Sequence, residues 1–279
     1  MEHDRGASSL VVIPTYNEVQ NLTLLVNRVL KNEGFDVLVI DDNSPDRTGE
    51  VADCLAEQFP GRISVLHRDA KLGLGSAIMA GLRQALRGEY EYVFQMDADL
   101  SHDPAVLPAM RRALDRADIV VGSRYTPGAS ARRRAHHRRL LSRLGSMYAG
   151  AVLRVPLSDL TGGFRGYRRH VLQALDLSQV TSRGYAVQIE LNHRCYQAGF
   201  HFAELPITFR ERAWGRSKMS LGIVFEALLV VATLRWRSMR GGVARFPEGS
   251  AGRPPVERFG GRAAKVQEAV EQRSMGPHS

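Results

Sequence analysis

Cysteine is scarce in this sequence. Its two thiols, Cys54 and Cys195, sit in no Cys-x-x-Cys and are too few for a disulfide framework. Both fall inside helix-like patterns, which predicts buried free thiols in a reducing compartment. Long apolar runs are missing as well. The longest, residues 223–234, contains Glu226 and is too short to cross a bilayer. Residues 1–9 are polar and contain no apolar h-region, so no secretory signal is visible. There is no internal repeat. The two glycines of LGLGS, residues 72–76, do not complete a Gly-x-Gly-x-x-Gly phosphate loop, and helix-start packing is the better reading there. What is present is 279 residues, 44% of them hydrophobic, with a net charge of +9. That is enough for one large domain or a domain with additions. The charge points to acidic partners: phosphates, anionic lipid or nucleic acid.

The first half alternates short apolar runs with helical periodicity. Strands are predicted at 10–15, 37–40, 63–66, 92–94 and 119–121. Between them Val19, Leu22, Leu25, Val26, Val29 and Leu30 form one helical stripe, with Asn17 as its expected cap. Further helices are predicted at 48–59, at 104–114, and over Leu74, Ala77, Ile78, Leu82, Ala85 and Leu86. Such alternation implies an α/β fold with a mostly parallel central sheet and right-handed crossovers. In a parallel sheet the strand C-terminal ends share one edge, so PTYNE, DDNSPD, DADLS and GSRY should converge on one site.

The last part reads differently. Residues 127–139 form a Pro/Gly/Arg loop in which Arg132, Arg133, Arg134, Arg138 and Arg139 cluster around His136 and His137. The cluster lacks aromatic interleaving and no nucleic-acid motif accompanies it, which favours phosphate or a membrane surface over nucleic acid. The two histidines lack ligand spacing and read as loop donors. Helices are expected at 140–153 and 187–198, a strand-rich stretch at 200–209 and a polar, basic loop at 210–218. Residues 219–240 read as an amphipathic helix, either packed in the core or interfacial. Residues 241–279 read as a disordered tail beyond the domain at 1–240, and their removal is expected to matter little.

Among the motifs, Asp97 and Asp99 end the 92–94 strand as an Asp-x-Asp, hard oxygen ligands suited to a divalent cation shared with substrate phosphates. Tyr16 offers a flat ring for a base or sugar, and Glu18 an acceptor. Asp42 offers a carboxylate to a ribose or base, with turn formation as the plainer alternative. Arg124, Arg212 and Lys218 are placed to meet phosphate oxygens.

Taken together, VVIPTYNE, VIDDNSPDRT, KLGLGSA, MDADLSHDP, DIVVGSRY, SDLTGGFRGY, RGYAVQIE and LPITFRERAWGRSKMS resemble an inverting family 2 glycosyltransferase of GT-A fold, more specifically the dolichyl- and polyprenyl-phosphate mannose synthases. The resemblance runs from about residue 10 to 236. It implies a metal-dependent transfer of mannose from GDP-mannose to a polyprenyl (dolichyl) phosphate, with another sugar, such as glucose from UDP-glucose, or a non-catalytic nucleotide-sugar-binding subunit as alternatives. It implies that Pro14, Tyr16, Glu18, Ile40, Asp42 and Ala98 hold the donor, together with Asp97, Asp99, Arg212 and Lys218. Asp97 and Asp99 would carry Mg²⁺ or Mn²⁺, with Asp99 dominant. Arg124 and Arg138 would meet the acceptor phosphate, and Arg124 and Arg212 would assist the transfer. Arg134 replaces a tryptophan common in the family, and TGGFR replaces TGSFR, so Gly163 lacks a hydroxyl. With a lipid acceptor and no spanning segment, the expected place of work is the cytoplasmic face of a membrane, held peripherally or through a membrane-spanning partner subunit.

Overall fold

The computed structural model describes residues 8–132, 136–182, 184, 186–210, 221–240 and 256–259. The chain begins β1 (Ser9–Thr15), α1 (Val19–Leu30), β2 (Phe35–Asp41), α2 (Thr48–Gln58), β3 (Ile63–His67), α3 (Leu74–Ala85) and β4 (Tyr92–Gln95). A 3-10 turn at Pro104–Val106 leads into α4 (Leu107–Ala113), then β5 (Ile119–Ser123), β6 (Ser130–Arg132) and α5 (His136–Leu153). The remainder is β7 (Arg165–Arg168), α6 (Arg169–Ala174), α7 (Ala186–Gln197), β8 (Phe202–Pro206), β9 (Thr208–Arg210), α8 (Leu221–Met239) and β10 (Val256–Arg258).

The main sheet has 8 strands in the order β10-β8-β5-β7-β4-β1-β2-β3. Strands β1, β2, β4 and β5 run the same way, so their C-terminal motifs do meet at one edge. Both sheet faces are covered. Leu10 and Val12 face one apolar layer with α3 and α7, while Val11 and Ile13 face the other with α1 and α4. That two-sided burial is why the strands read as continuous apolar runs.

Strand β7 departs from the parallel pattern. It runs antiparallel between β4 and β5. An antiparallel strand starts where its neighbours end, so the segment entering β7, residues 159–164, is delivered to the motif edge. Gly166 makes the insertion possible: a Cβ there would come within 2.5 Å of the Phe94 ring and 2.8 Å of Val120.

Other expectations need correcting. Asn17 does not cap α1; it takes φ +59° and Glu18 occupies the cap position. The loop after β2 takes over the capping, because Ser44 Oγ, Thr48 Oγ1 and Asp46 Oδ2 accept the amides of Asn17, Glu18 and Val19. Cys195 is buried but Cys54 is exposed on α2. The stretch 127–139 is not all loop: β6 pairs with β9, and α5 begins at His136, which puts both histidines in its first turn. Within the tail, Val256–Arg258 pair with β8 as an edge strand. Among the described residues no helix is long and apolar enough to cross a membrane.

Candidate active site

The Asp-x-Asp lies on a tight turn just after β4. Leu100, the next residue, takes φ +62°, a left-handed conformation that a branched side chain seldom adopts. Two hydrogen bonds lock the turn. The Ser101 amide donates to Asp99 Oδ1 at 3.1 Å, and the Asp97 amide makes a long 3.4 Å bond to His102 Nδ1. His102 is buried, stacked on Phe164 at 5.1 Å and met edge-on by Phe209 at 5.7 Å. Burial lowers its pKa more than the nearby Asp97 and Asp99 raise it, so the ring is neutral near pH 7. Asp99 and Ala98 are buried, and Asp97 is half-buried. Gly163 lies flush against the Asp97 carboxylate: a Cβ there would sit 2.7 Å from Oδ1 and 2.9 Å from Oδ2.

Arg124 is already engaged within the chain. Its Nε and Nη2 grip Asp159 Oδ2 and Oδ1 at 2.6 and 2.7 Å, and Nη2 also donates to Thr161 Oγ1 at 2.7 Å. The pair is buried, with Asp159 wholly so. Burial opposes both charges, yet each partner outweighs it: the Asp159 pKa falls and the Arg124 pKa rises. The same carboxylate accepts the amides of Arg124, Thr161 and Gly162. Asp159 thus ties β5 to the loop that carries Gly163. Sequence reasoning passes over it, although its Asp-x-Thr-Gly spacing is the signal of a carboxylate that accepts amides two and three residues on.

The donor candidates lie at the neighbouring strand ends. Pro14 and Ile40 are register partners across β1 and β2, and both are buried. The Ile40 side chain packs in the core, within 3.2 Å of where a Gly81 Cβ would be, so only its backbone could meet a donor. Tyr16 lies under Lys71, with Nζ 3.9 Å from the ring centre, a stack that an incoming ring system would share or displace. Glu18 is buried and accepts from Asn21 Nδ2 at 2.7 Å. Asp42 anchors the LGLGS loop: it binds Arg68 Nη1 at 2.6 Å and the amides of Leu72 and Gly73 at 3.1 and 2.8 Å. Turn formation belongs instead to Asp41, which takes the Ser44 amide and hydroxyl.

Arg212 and Lys218 lie outside the described residues. The chain leaves β9 beside the aspartate turn, since the Arg210 amide donates to the Ser101 carbonyl at 3.0 Å and Arg210 pairs with Asp103. Arg138 falls in the first helical turn of α5. Among the described residues no cluster of three or more His, Cys, Asp or Glu could hold a metal by itself. Two adjacent carboxylates at an open sheet edge are the donor set of a hard divalent ion that takes its other ligands from a diphosphate. The residues therefore fit Mg²⁺ or Mn²⁺ as a shared ion and do not fit a closed structural site.

Residues 10–176 match the glycosyl transferase family 2. The chain belongs to that family. A glycosyltransferase follows as its activity class, and the aspartate turn is its candidate centre. Among curated relatives, it is 46% identical over 226 residues to the polyprenol monophosphomannose synthase of Mycolicibacterium smegmatis, covering 80% of this chain and 85% of that one. It is 43% identical over 236 residues to the undecaprenyl-phosphate mannosyltransferase of Micrococcus luteus, covering 83% of this chain and 97% of that one. Among solved structures, glucosyl-3-phosphoglycerate synthase from Mycobacterium tuberculosis, with Mn²⁺, UDP-glucose and phosphoglyceric acid, superposes with a TM-score of 0.59 at 19% identity over 90% of each chain. S. aureus TarS 1-349 with UDP-GlcNAc gives 0.55 at 16% identity, over 81% of this chain and 66% of that one. These likenesses establish the GT-A fold.

Proposed function

We propose that this glycosyltransferase moves mannose from GDP-mannose to a polyprenyl phosphate of the dolichyl class, with inversion at the anomeric carbon. The observation that carries the reading is the Asp97–Asp99 turn, locked at the sheet edge of a chain similar over most of its length to two polyprenyl-phosphate mannose enzymes. Asp97 and Asp99 would hold Mg²⁺ or Mn²⁺, and that ion would supply Lewis-acid stabilisation of the departing diphosphate. Tyr16, Glu18 and the backbone near Ile40 would border the nucleoside end of the donor. Arg212 and Lys218 supply charge to the diphosphate. The Arg124–Asp159 pair keeps the acceptor side rigid, and Arg138 with its arginine neighbours receives the lipid phosphate.

The nucleophile is a phosphate oxygen, already anionic near neutral pH, so the site needs no strong general base. His102 suits such a site. It is neutral, and its Nδ1 already accepts the Asp97 amide, which makes it a strut of the turn. The work of the chain is to bring two anions together and exclude water.

A lipid acceptor asks for a lipid-facing surface, and α5 and α8 offer one. Leu140, Leu144 and Met147 are exposed at helical spacing on α5, and Leu229, Trp236 and Met239 on α8. Arg240 stacks on Trp236 at 3.9 Å, a cation and an indole together, as interfacial helices place them. Peripheral docking on the cytoplasmic face of a membrane, alone or with a membrane-spanning subunit, follows from this reading.

The test offers the purified chain radiolabelled GDP-mannose or UDP-glucose, a short polyprenyl phosphate and Mn²⁺. Mannolipid should form from GDP-mannose, stop in EDTA and resume when Mn²⁺ or Mg²⁺ is returned. Glucose transfer without mannose transfer, or undiminished turnover in verified absence of metal, would overturn the proposal.

A further inference from the structure

We infer that the tail strand β10 is a positioning element of the active site, with Arg258 holding the loop of Asp159 in place through Glu204. The inference rests on the glycosyltransferase reading only where it makes Arg124 part of the working site.

Glu204 is the starting point. It lies on β8, is fully buried, and faces the segment that carries Asp159. Its Oε1 accepts the amides of Ser158 and Asp159 at 2.8 and 3.2 Å, and its Oε2 accepts the Ser158 hydroxyl at 2.9 Å. A buried carboxylate held by neutral donors alone is costly, and its position is set by what offsets the charge. Among the described residues that offset comes from Arg258 of the tail. Arg258 is the register partner of Glu204 across the β8–β10 pair, so the two side chains share a face. Its Nε reaches Glu204 Oε2 at 3.3 Å, and its Nη2 donates to the Pro156 carbonyl at 3.0 Å. One guanidinium therefore clamps both the carboxylate and the chain two residues before Ser158.

The strand is seated in two further ways. The Phe259 amide donates to the Glu204 carbonyl at 3.1 Å, and Phe259 packs on the core layer that contains Ala203 and Leu205. From Arg258 the contacts run through Glu204 to the Ser158 and Asp159 amides, and from the Asp159 carboxylate to Arg124. Each step is a direct hydrogen bond. Without Arg258, Glu204 sits next to an open sheet edge and draws water to itself. The two amides then lose a fixed acceptor, and the Asp159 grip on Arg124 loosens at the acceptor side. On this inference the tail expected to be dispensable becomes a working part of the site.

The experiment compares full-length wild type, Arg258→Met and Arg258→Lys. Methionine keeps much of the apolar stem and removes the clamp; lysine keeps the charge. Hydrogen exchange at the Ser158 and Asp159 amides is read first, because it does not depend on which sugar or acceptor the enzyme uses. Exchange should quicken in Arg258→Met and recover in part in Arg258→Lys. Turnover should fall roughly three- to tenfold in Arg258→Met with donor KM unchanged, the size usual for a residue acting through others. In a Glu204→Gln background, adding Arg258→Met should cause no further loss. Unchanged exchange at both amides would overturn the inference, even in an enzyme that transfers mannose as proposed. So would a turnover loss that persists undiminished in the Glu204→Gln background. An inactive wild type whose amides respond as expected would fault the proposed reaction and leave the clamp standing.

Discussion

Replacing Gly163 by alanine separates the metal-binding role proposed for Asp97 from the stability of the fold. The added methyl would start 2.7 Å from Asp97 Oδ1 and 2.9 Å from Oδ2, whereas ordinary contact begins at 3.4 Å. The nearer oxygen must therefore retreat by 0.7 Å, the difference between 3.4 and 2.7 Å. A carboxylate can make that move by swinging its side chain roughly 30° off a staggered rotamer, at about 0.5–1.5 kcal/mol. Gly163 does not adopt a positive φ, so alanine fits its backbone and stiffens the unfolded chain, a gain of about 0.4–1 kcal/mol. These two effects nearly cancel, so the folding free energy should change by less than about 1 kcal/mol. Metal binding has no such compensation, because ligand oxygens must lie within about 0.2 Å of their ideal distance. Displacing groups that orient metal ligands typically weakens binding about 10- to 100-fold. Titrating Mn²⁺ while following the free-ion electron paramagnetic resonance signal, with GDP present, reads the affinity directly. A urea melt of the same sample reads stability. The reasoning fails if Gly163→Ala binds Mn²⁺ within twofold of wild type, since Asp97 would then be either mobile or no ligand at all.

Asp159→Asn keeps the shape of the Arg124 partner and removes its charge, leaving a buried guanidinium unpaired; the urea midpoint should drop by the equivalent of about 3–5 kcal/mol, and a drop below about 1 kcal/mol would mean that Arg124 is offset elsewhere. His193 is buried between α7 and α8, where its Nε2 meets Ser238 Oγ at 2.7 Å, and burial lowers its pKa to about 4, helped by Arg194 and Arg235. An unfolded histidine takes its proton near pH 6.5, so stability should be full above that pH and fall by about 3 kcal/mol as pH drops to 4. Urea melts at pH 7, 5.5 and 4.5 should show a steeper loss for wild type than for His193→Gln, and parallel curves would rule this out. Wild type should float with anionic vesicles at low salt and less so at high salt, and Leu144→Asp or Leu229→Asp should weaken flotation without unfolding, because those side chains are 50% and 54% exposed. Equal flotation of wild type and both variants would remove α5 and α8 from the contact.

The parts legible in the sequence are those governed by local pattern. Leu10 to Ile13 and Tyr92 to Phe94 are buried on both faces, and an unbroken apolar run is the mark such strands leave. The convergence of Asp97, Asp42 and Arg124 on one edge follows from strand direction alone. What escapes is long-range pairing. Arg124 and Asp159 are 35 residues apart, and nothing local in either segment says that they meet. Gly163 looks like a turn glycine until β7 is seen to run backwards between β4 and β5, which brings it onto Asp97. Ile40 enters the donor set through the family resemblance alone, and strand alternation turns its side chain into the core, which leaves its backbone for that role. The edge strand at Val256 has only three residues in a polar tail, too short to carry any period.

The pairings also decide where the charge for the donor comes from. Arg68 is matched by Asp42, Arg124 by Asp159 and Arg210 by Asp103. A divalent ion on Asp97 and Asp99, as proposed, would be matched by those two carboxylates. Summed over these groups the edge is close to neutral, while a sugar diphosphate and a lipid phosphate each bring negative charge. On that reading the charge that draws them comes from other residues, of which the sequence, at net +9, has a basic surplus. Seven of its basic residues lie in two segments that adjoin the described site along the chain, the arginines of 132–139 and Arg212 with Lys218. One follows β5 past Arg124 and the other leaves β9 beside the aspartate turn. Under the proposed function the internal pairs would serve as fixed geometry, and attraction of the two anionic substrates would fall to those two segments. This division explains how a site lined by paired arginines can still favour two anions approaching each other.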